Sequence, residues 1–416
     1  MQRNVALRML PNREPVMVML GVRVPRDETV EATEILPDVW MVGGYLSDNF
    51  FLAQPSSNAY VLRDDDVLTI VDPGVHHTYR KKILDLVEEY RSKGVKKVRM
   101  LVTQGHFDHS GNCDLVLQAG LPWEFLLPEV EFPTMNAAAD FLNDLDALAE
   151  YEDVFRTMFV RTPAGPVLRG LASVSPSLAR SALRSMANGV MGSGNDIACL
   201  ATLLRSDQKI TRTFGSVSLS GWQAGRLFLV HDGSHSPGHL CVFDEQNKLM
   251  IAGDTTIEIN PAFFYSSMQR LQDVTGAMAT MAREGAIEIV VDGHRSARYF
   301  PRVFEACGVE PLDPLQLIDF ASGRSECEAF LAFYHRYYQA LVRGVHEAHR
   351  RAGRATVGEI VEELRASTDP YVRFKTGIPL TRLPSRDDVL VAGVLKEAGA
   401  APLHVEGRII VDPVPG

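Results

Sequence analysis

Between residues 30 and 75 the apolar positions fall in short runs: Val39-Trp40-Met41-Val42, Asn58-Ala59-Tyr60-Val61-Leu62 and Val67-Leu68-Thr69-Ile70-Val71, the last two separated by the charged turn Arg63-Asp64-Asp65-Asp66. Runs of this length bounded by turn residues predict a β meander. From Tyr79 to Lys93 the period lengthens, with Ile83, Leu84, Leu86 and Val87 apolar among charges, which predicts a helix; Val98 to Val102 then reads as a buried strand that stops at the loop TQGHFDHSGN. Residues 128–206 turn helical, as MNAAADFLNDLDALAEYEDVFRTMF and SPSLARSALRSMANGVM broken by RTPAGP, and this predicts an inserted cap. Strand character returns at Val217–Ser220, Gly225–Val230, Leu249–Ala252 and Ile287–Val291. The expected fold class is α/β.

From residue 311 the chain changes character. A long amphipathic helix, Glu326 to Arg351, precedes ATVGEIVEELRA, SRDDVLVAGVLKEAGA and a strand pair around PLHVEGRIIVD. Two helices followed by a small hairpin is the order of a winged-helix module. The second helix, Arg386 to Ala400, carries two basic and three acidic side chains, so it is expected to pack rather than read a nucleic-acid groove. The expected division is a catalytic domain over 1–310, containing the cap, and a helical C-terminal domain over 311–416.

Composition narrows the class without choosing a reaction. The 416 residues are 46% hydrophobic and 23% charged, as in an ordinary globular protein. The net charge of −10 supplies no positive field for nucleic acid or anionic lipid. Five cysteines without a C-x-x-C pair fit a reducing, cytoplasmic setting, and the N-terminal stretch is too interrupted by polar residues for a signal peptide or membrane span.

The chemistry concentrates at strand ends. Gln104-x-His106-x-Asp108-His109 places four donors in one turn, enough for two metal ions to share the loop. His235-Ser-Pro-Gly-His239, Gly253-Asp254-Thr255 and Asp292-Gly-His294 follow, and Asp72 ends an earlier strand in VDPG. His76 and His77 read as a polar loop pair, and His335, His346 and His349 as the solvated basic face of the tail helix.

In QGHFDH, SPGHL, AGDTT and DGHRS, taken in that order, the chain resembles the metallo-β-lactamase-fold superfamily, over roughly residues 30–300. The tail resembles the winged-helix-like C-terminus of its lactamase-like hydrolase branch. The resemblance implies an αββα sandwich with the site at one edge of two sheets. Carried over, it gives His106 and His239 to the first metal and Asp108, His109 and His294 to the second, with Asp254 bridging; Asp108 and Asp254 are the residues closest to catalysis. Asp72 would steady the histidine loop, His235 would support rather than ligate, and Tyr265 and Arg295 would line the substrate pocket. Gln104 stands where the family has a third histidine, so the first site is expected to be weakened and partly occupied.

The implied cofactors are two divalent ions, zinc first and iron as the alternative. Asp254 separates the chain from the antibiotic-degrading branch and moves the resemblance toward glyoxalase-type thioesterases and lactonases. The leading expectation is hydrolysis of a thioester, ester or lactone by a metal-activated water, on a small acyl substrate, with no nucleic-acid or membrane partner. The alternative is a di-iron oxygenase of the same fold acting on a CoA- or carrier-bound acid, motivated by Gln104. The amphipathic surface of the cap and tail suits a homodimer.

Overall fold

The computed structural model describes residues 17–19, 22–24, 30–43, 56–154, 165–191, 196–257, 264–294, 320–376 and 386–412. Arg295 and the expected domain boundary at residue 310 lie outside these residues.

After a short hairpin, β1 (Met17–Met19) with β2 (Val22–Val24), the chain builds two seven-stranded sheets in sequence order. The first runs β3 (Ala32–Leu36), β4 (Val39–Val42), β5 (Ala59–Asp64), β6 (Val67–Val71), β7 (Lys97–Leu101), β8 (Trp123–Pro128), β9 (Thr202–Leu204). Its first four strands pair antiparallel, β3 with β4 and β5 with β6 through tight turns. From β6 onward the pairs are parallel, because helix α1 (His77–Ser92) and later segments carry the chain back across the sheet. The second sheet runs β10 (Ile210–Phe214), β11 (Val217–Ala224), β12 (Leu227–His231), β13 (Leu240–Asp244), β14 (Leu249–Ile251), β15 (Ile289–Val291), β16 (Ala321–Ser322).

Three apolar clusters stack these elements in four layers. Tyr60, Leu62, Val71 and Leu101 of the first sheet meet Leu229, Val242, Ile251 and Val291 of the second. On the first sheet's other face Val61, Ile70 and Met100 pack against Tyr79, Ile83, Val87 and Tyr90 of α1. On the second sheet's other face Phe228, Phe243 and Met250 pack against two helices beyond the cap. Side chains alternate across each strand, so β-branched runs can serve two cores at once. This is the αββα sandwich.

The cap lies between β8 and β9. After α2 (Phe107–Ser110) in the motif loop, it comprises a 3₁₀ turn Glu129–Met135, α3 (Ala137–Leu148), α4 (Gly165–Val174), α5 (Pro176–Met191) and a 3₁₀ turn Asp196–Leu200. Asn136 caps α3 by accepting the N–H of Ala139 at 3.2 Å. Helix α6 (Met268–Glu284), which the strand-centred sequence reading passed over, starts at the Ser267 cap and ends at Gly285 in the left-handed region, φ 84°.

The tail is α7 (Arg324–Ala352), α8 (Val357–Arg365), α9 (Pro370–Thr376) and α10 (Arg386–Glu397), closed by the hairpin β17 (Pro402–Val405) and β18 (Arg408–Val411). The cluster on the second sheet's outer face continues unbroken through α6 and α7 into α8 and α10. Val389 to Ala392, Val394 and Leu395 of α10 are all buried. On α7 the basic face is not uniformly solvated: His349 is buried with Nε2 3.2 Å from the Val411 carbonyl oxygen, because β18 crosses there, and the Nδ1 of His335 lies 2.8 Å from the Gln272 oxygen of α6.

Candidate metal centre

The candidate ligands follow the ends of β7, β12, β14 and β15, and Asp72 follows β6. Asp72 follows β6 and holds φ 53°, a conformation Asp tolerates better than most side chains. Its Oδ1 accepts the N–H of Thr103 at 2.7 Å, and its Oδ2 accepts the Thr103 hydroxyl at 2.7 Å and the Nδ1 proton of His109 at 2.9 Å. Asp72 thus fixes both the start of the motif loop and the tautomer of His109, whose Nε2 is left to face the centre. The two sheets are tied at the same edge: Leu240 N–H donates to the Thr103 oxygen at 2.8 Å, Asn58 N–H to the Gly293 oxygen at 2.7 Å, and the Tyr60 hydroxyl to the Asp292 oxygen at 2.6 Å.

Among the described residues three donor groups could hold a metal: Asp232, His239 and Cys241 form one, and the other two converge on Asp254. In one, Asp108, His109 and His294 present donor atoms within 4.8 Å of one another; in the other, His106, His235 and Asp254 do. His109 Nε2 lies 3.2 Å from His294 Nε2 and 3.3 Å from Asp254 Oδ2; His294 Nε2 lies 3.3 Å from Asp108 Oδ2 and 3.4 Å from Asp254 Oδ1. His235 Nε2 stands 3.4 Å from Asp254 Oδ2. Donors bound tetrahedrally at zinc distances are about 3.3 Å apart, so the spacing fits a divalent ion. Asp254 Oδ1 is buried and makes no hydrogen bond of good geometry among the described residues, its neighbour being the His294 ring at 3.4 Å, an arrangement that a cation would relieve.

The charge balance differs between the two clusters. Burial opposes protonation of His109, yet the carboxylates of Asp254, Asp72 and Asp108 raise it well above the ordinary imidazole value. His294 likewise overcomes burial through Asp254 and Asp108 and is pushed up to about 10. Burial would raise Asp254, but His294 and His109 hold it well below the ordinary carboxylate range. In the second cluster burial and the neighbouring His235 bring His106 down to about 3, and burial brings His235 down to about 4, so both keep a neutral ring. The neutral imidazoles of this second cluster suit a divalent ion, whereas His109 and His294 would have to release a proton to bind one.

Two places differ from the spacing argument. His239, expected at the first ion, has both ring nitrogens occupied: Nδ1 lies 2.8 Å from Asp232 Oδ2, and Nε2 accepts the N–H of Asp254 at 3.1 Å. His235, expected as support, is the residue whose ring turns inward to His106, centroids 5.3 Å apart. The loop between β12 and β13 folds back so that Gly233 N–H meets the His239 oxygen at 3.1 Å, and Asp232 at its start captures the later histidine. Gln104 turns its amide nitrogen, not its oxygen, to the centre. Nε2 donates to Asp254 Oδ2 at 2.7 Å and sits 2.7 Å from His109 Nε2, while Oε1 is buried without a donor among the described residues. As placed, Gln104 orients Asp254 through its amide nitrogen.

Tyr265 approaches from beside the cap. Its hydroxyl lies 2.5 Å from His106 Nε2 and donates to Asp140 Oδ2 of α3 at 3.0 Å, and its N–H donates to Asp144 Oδ1 at 3.3 Å. Burial lifts Asp140 to about 7, and burial with the Asp140 charge lifts Tyr265 well above 10. Asp140, Asp232 and Glu131 carry no local motif; a strand-end aspartate before GSH was the only visible sign of any of them.

A four-layer αββα sandwich with histidines and aspartates converging at one edge defines a class of metal-binding fold. Residues 53–171 match the family model of the metallo-beta-lactamase superfamily, and the chain has that superfamily's fold. Among solved structures it is similar to a beta-lactamase domain protein from Burkholderia ambifaria at 16% identity and TM-score 0.51, over 92% of this chain and 93% of that one. It is also similar to the stereoselective inverting sec-alkylsulfatase Pisa1 from Pseudomonas sp. at 15% identity and TM-score 0.50, over 88% of this chain but only 50% of that one. No curated protein matches the sequence.

Proposed function

We propose that the chain is a metal-dependent hydrolase of a carboxylic thioester, ester or lactone. The observation that carries this reading is the convergence of two donor clusters on Asp254. His106, His235 and Asp254 would hold one ion and Asp108, His109, His294 and Asp254 the other. When bound, such ions polarise a carbonyl and make water nucleophilic near neutral pH.

The chain's own residues prepare the rest. Asp72 locks the His109 ring, and Gln104 holds Asp254 Oδ2 in place. Asp108 keeps 15% of its side-chain surface exposed against 4% for Asp254, so it is the carboxylate able to take the proton released by the attacking water. The Tyr265 hydroxyl faces His106 and, by turning its proton from Asp140, would donate to the acyl oxygen or leaving group. Water adds to the carbonyl carbon, the bond to sulfur or oxygen breaks, and the proton passes to the leaving group.

Asp140 and Asp144 beside Tyr265 support an uncharged acyl group rather than a sulfate monoester, the substrate class named for the sec-alkylsulfatase, because an anion would face both carboxylates. Zinc suits the imidazole-rich donor set. The oxygenase reading drew on Gln104 as an oxygen ligand, and Gln104 stands as a donor to Asp254. A cytoplasmic setting is supported by the free cysteines among the described residues, Cys113, Cys199, Cys241 and Cys327. Among the described residues no helix is long and apolar enough to cross a membrane.

The test is a panel of acyl thioesters, aryl esters and lactones assayed with zinc-, manganese- and iron-loaded protein. Hydrolysis of at least one member is expected, reduced on the order of a hundredfold or more in Asp108→Ala. Turnover of none of them, or turnover that survives Asp108→Ala unchanged, would defeat the proposal.

A further inference from the structure

Glu131 lies in no motif, and its side chain is fully buried at the root of the cap. Its two carboxylate oxygens serve two different loops. Oε2 accepts the N–H of Gly105 at 3.2 Å and the Thr134 hydroxyl at 2.6 Å. Oε1 accepts the N–H of Gly238 at 3.2 Å and the hydroxyl of Ser236. Gly105 immediately precedes His106, and Ser236 immediately follows His235. One carboxylate therefore spans the two histidines of one donor cluster.

The packing is equally direct. A Cβ on Gly105 would lie 1.8 Å from Thr134 Oγ1, and a Cβ on Gly238 would lie 2.9 Å from Glu131 Cγ, so both loops need glycine to press this closely on the turn. Four donors occupy the carboxylate, which replaces the water lost on burial and gives the turn one geometry. The loops arise from different sheets, after β7 and β12, and no strand pairs them at this point.

We propose that Glu131 is a positioning residue that sets the spacing of His106 and His235 and thereby tunes the first ion's site without touching the second. The inference rests on the two-ion reading above. Its chemistry is that of an outer carboxylate that holds ligand-bearing backbone in register. A glutamine at this position keeps the shape but has only one oxygen. Whichever way the amide turns, its oxygen serves one loop and its NH₂ group faces the donors of the other, so one histidine loop is released.

The test compares wild type, Glu131→Gln, Ser236→Ala and Leu142→Ala, the last a buried position in α3 that serves as a stability control. Zinc affinities are measured by competition with a chromophoric chelator, and cobalt-loaded proteins are compared by visible spectrum. In Glu131→Gln the first ion is expected to bind about ten- to a hundredfold more weakly, with an altered cobalt spectrum, while the second ion binds as in wild type. Ser236→Ala removes one of the four donors and should give a smaller change of the same kind. Leu142→Ala should lose thermal stability with both affinities intact.

Wild-type protein that binds fewer than two ions would refute the two-ion reading, and this inference with it. Wild-type protein that binds two ions, with Glu131→Gln and Ser236→Ala binding both equally well, would refute this inference alone. Equal weakening of both ions in step with lost stability would also refute it.

Discussion

At the scale of single residues, the centre is organised by groups that hold other groups. Asp72 fixes one ring nitrogen of His109, and Asp232 fixes one of His239. The inward histidine of the HSPGH stretch is therefore decided by a hydrogen bond to an aspartate outside it, which spacing alone does not disclose. The ion-free charge balance gives a testable pH dependence. His294 stands at about 10 because Asp254 and Asp108 outweigh burial. A folded-state value above the ordinary 6.5 means that this proton's stabilisation is complete below about pH 6.5 and is lost as pH rises through 10. Chelator-treated protein should lose thermal stability over that window by more than a His294→Gln variant does. Equal losses in the two would show that the His294 proton does not contribute.

At the scale of elements, each donor group leaves a strand end, and this much was legible: β4 and β6 were bounded correctly from apolar runs, and the motif loops fall where those runs stop. Helix α6 was passed over although Ser267 and Gly285 mark its ends, because its apolar positions Leu271, Val274, Met278 and Met281 are interleaved with Gln, Arg, Asp and Thr. The approach of the cap to the centre was not legible. Asp140 reaches Tyr265 across 125 residues, and Glu131 reaches Ser236 across 105, so no local period encodes either contact. Helix α3 carries Asp140, and its start depends on the Asn136 cap. Asn136→Ala should cost about 1 kcal/mol locally, seen as roughly fivefold faster limited proteolysis within the cap. An unchanged cleavage rate would mean that tertiary packing, not the cap residue, holds α3.

At the scale of the molecule, the tail is part of the structure that holds the cap. The Tyr151 hydroxyl beyond α3 donates to the Ala400 oxygen at 2.8 Å, Glu397 accepts the N–H of Met268 at 3.0 Å at the start of α6, and the Lys396 ammonium sits 4.3 Å from the centre of the Phe264 ring. Phe264 precedes Tyr265, so α10 supports the segment that carries the tyrosine. The shared apolar cluster gives the same message: Phe228, Met278, Tyr338 and Leu395 belong to one core. A chain ended after Gly353 would expose that core. It is expected to aggregate or to lose cooperative unfolding in calorimetry, and a cooperatively folded fragment would show that the tail is dispensable.

The central claim is that His106, His235 and Asp254 hold one ion and Asp108, His109, His294 and Asp254 the other. Elemental analysis of the purified chain beside His235→Ala and His239→Ala tests it most directly. The account predicts two divalent ions per wild-type chain, one in His235→Ala, and two in His239→Ala, whose ring nitrogens are taken by Asp232 and the Asp254 backbone. Wild-type protein without bound metal, or a His235→Ala variant that keeps both ions while His239→Ala loses one, would contradict it.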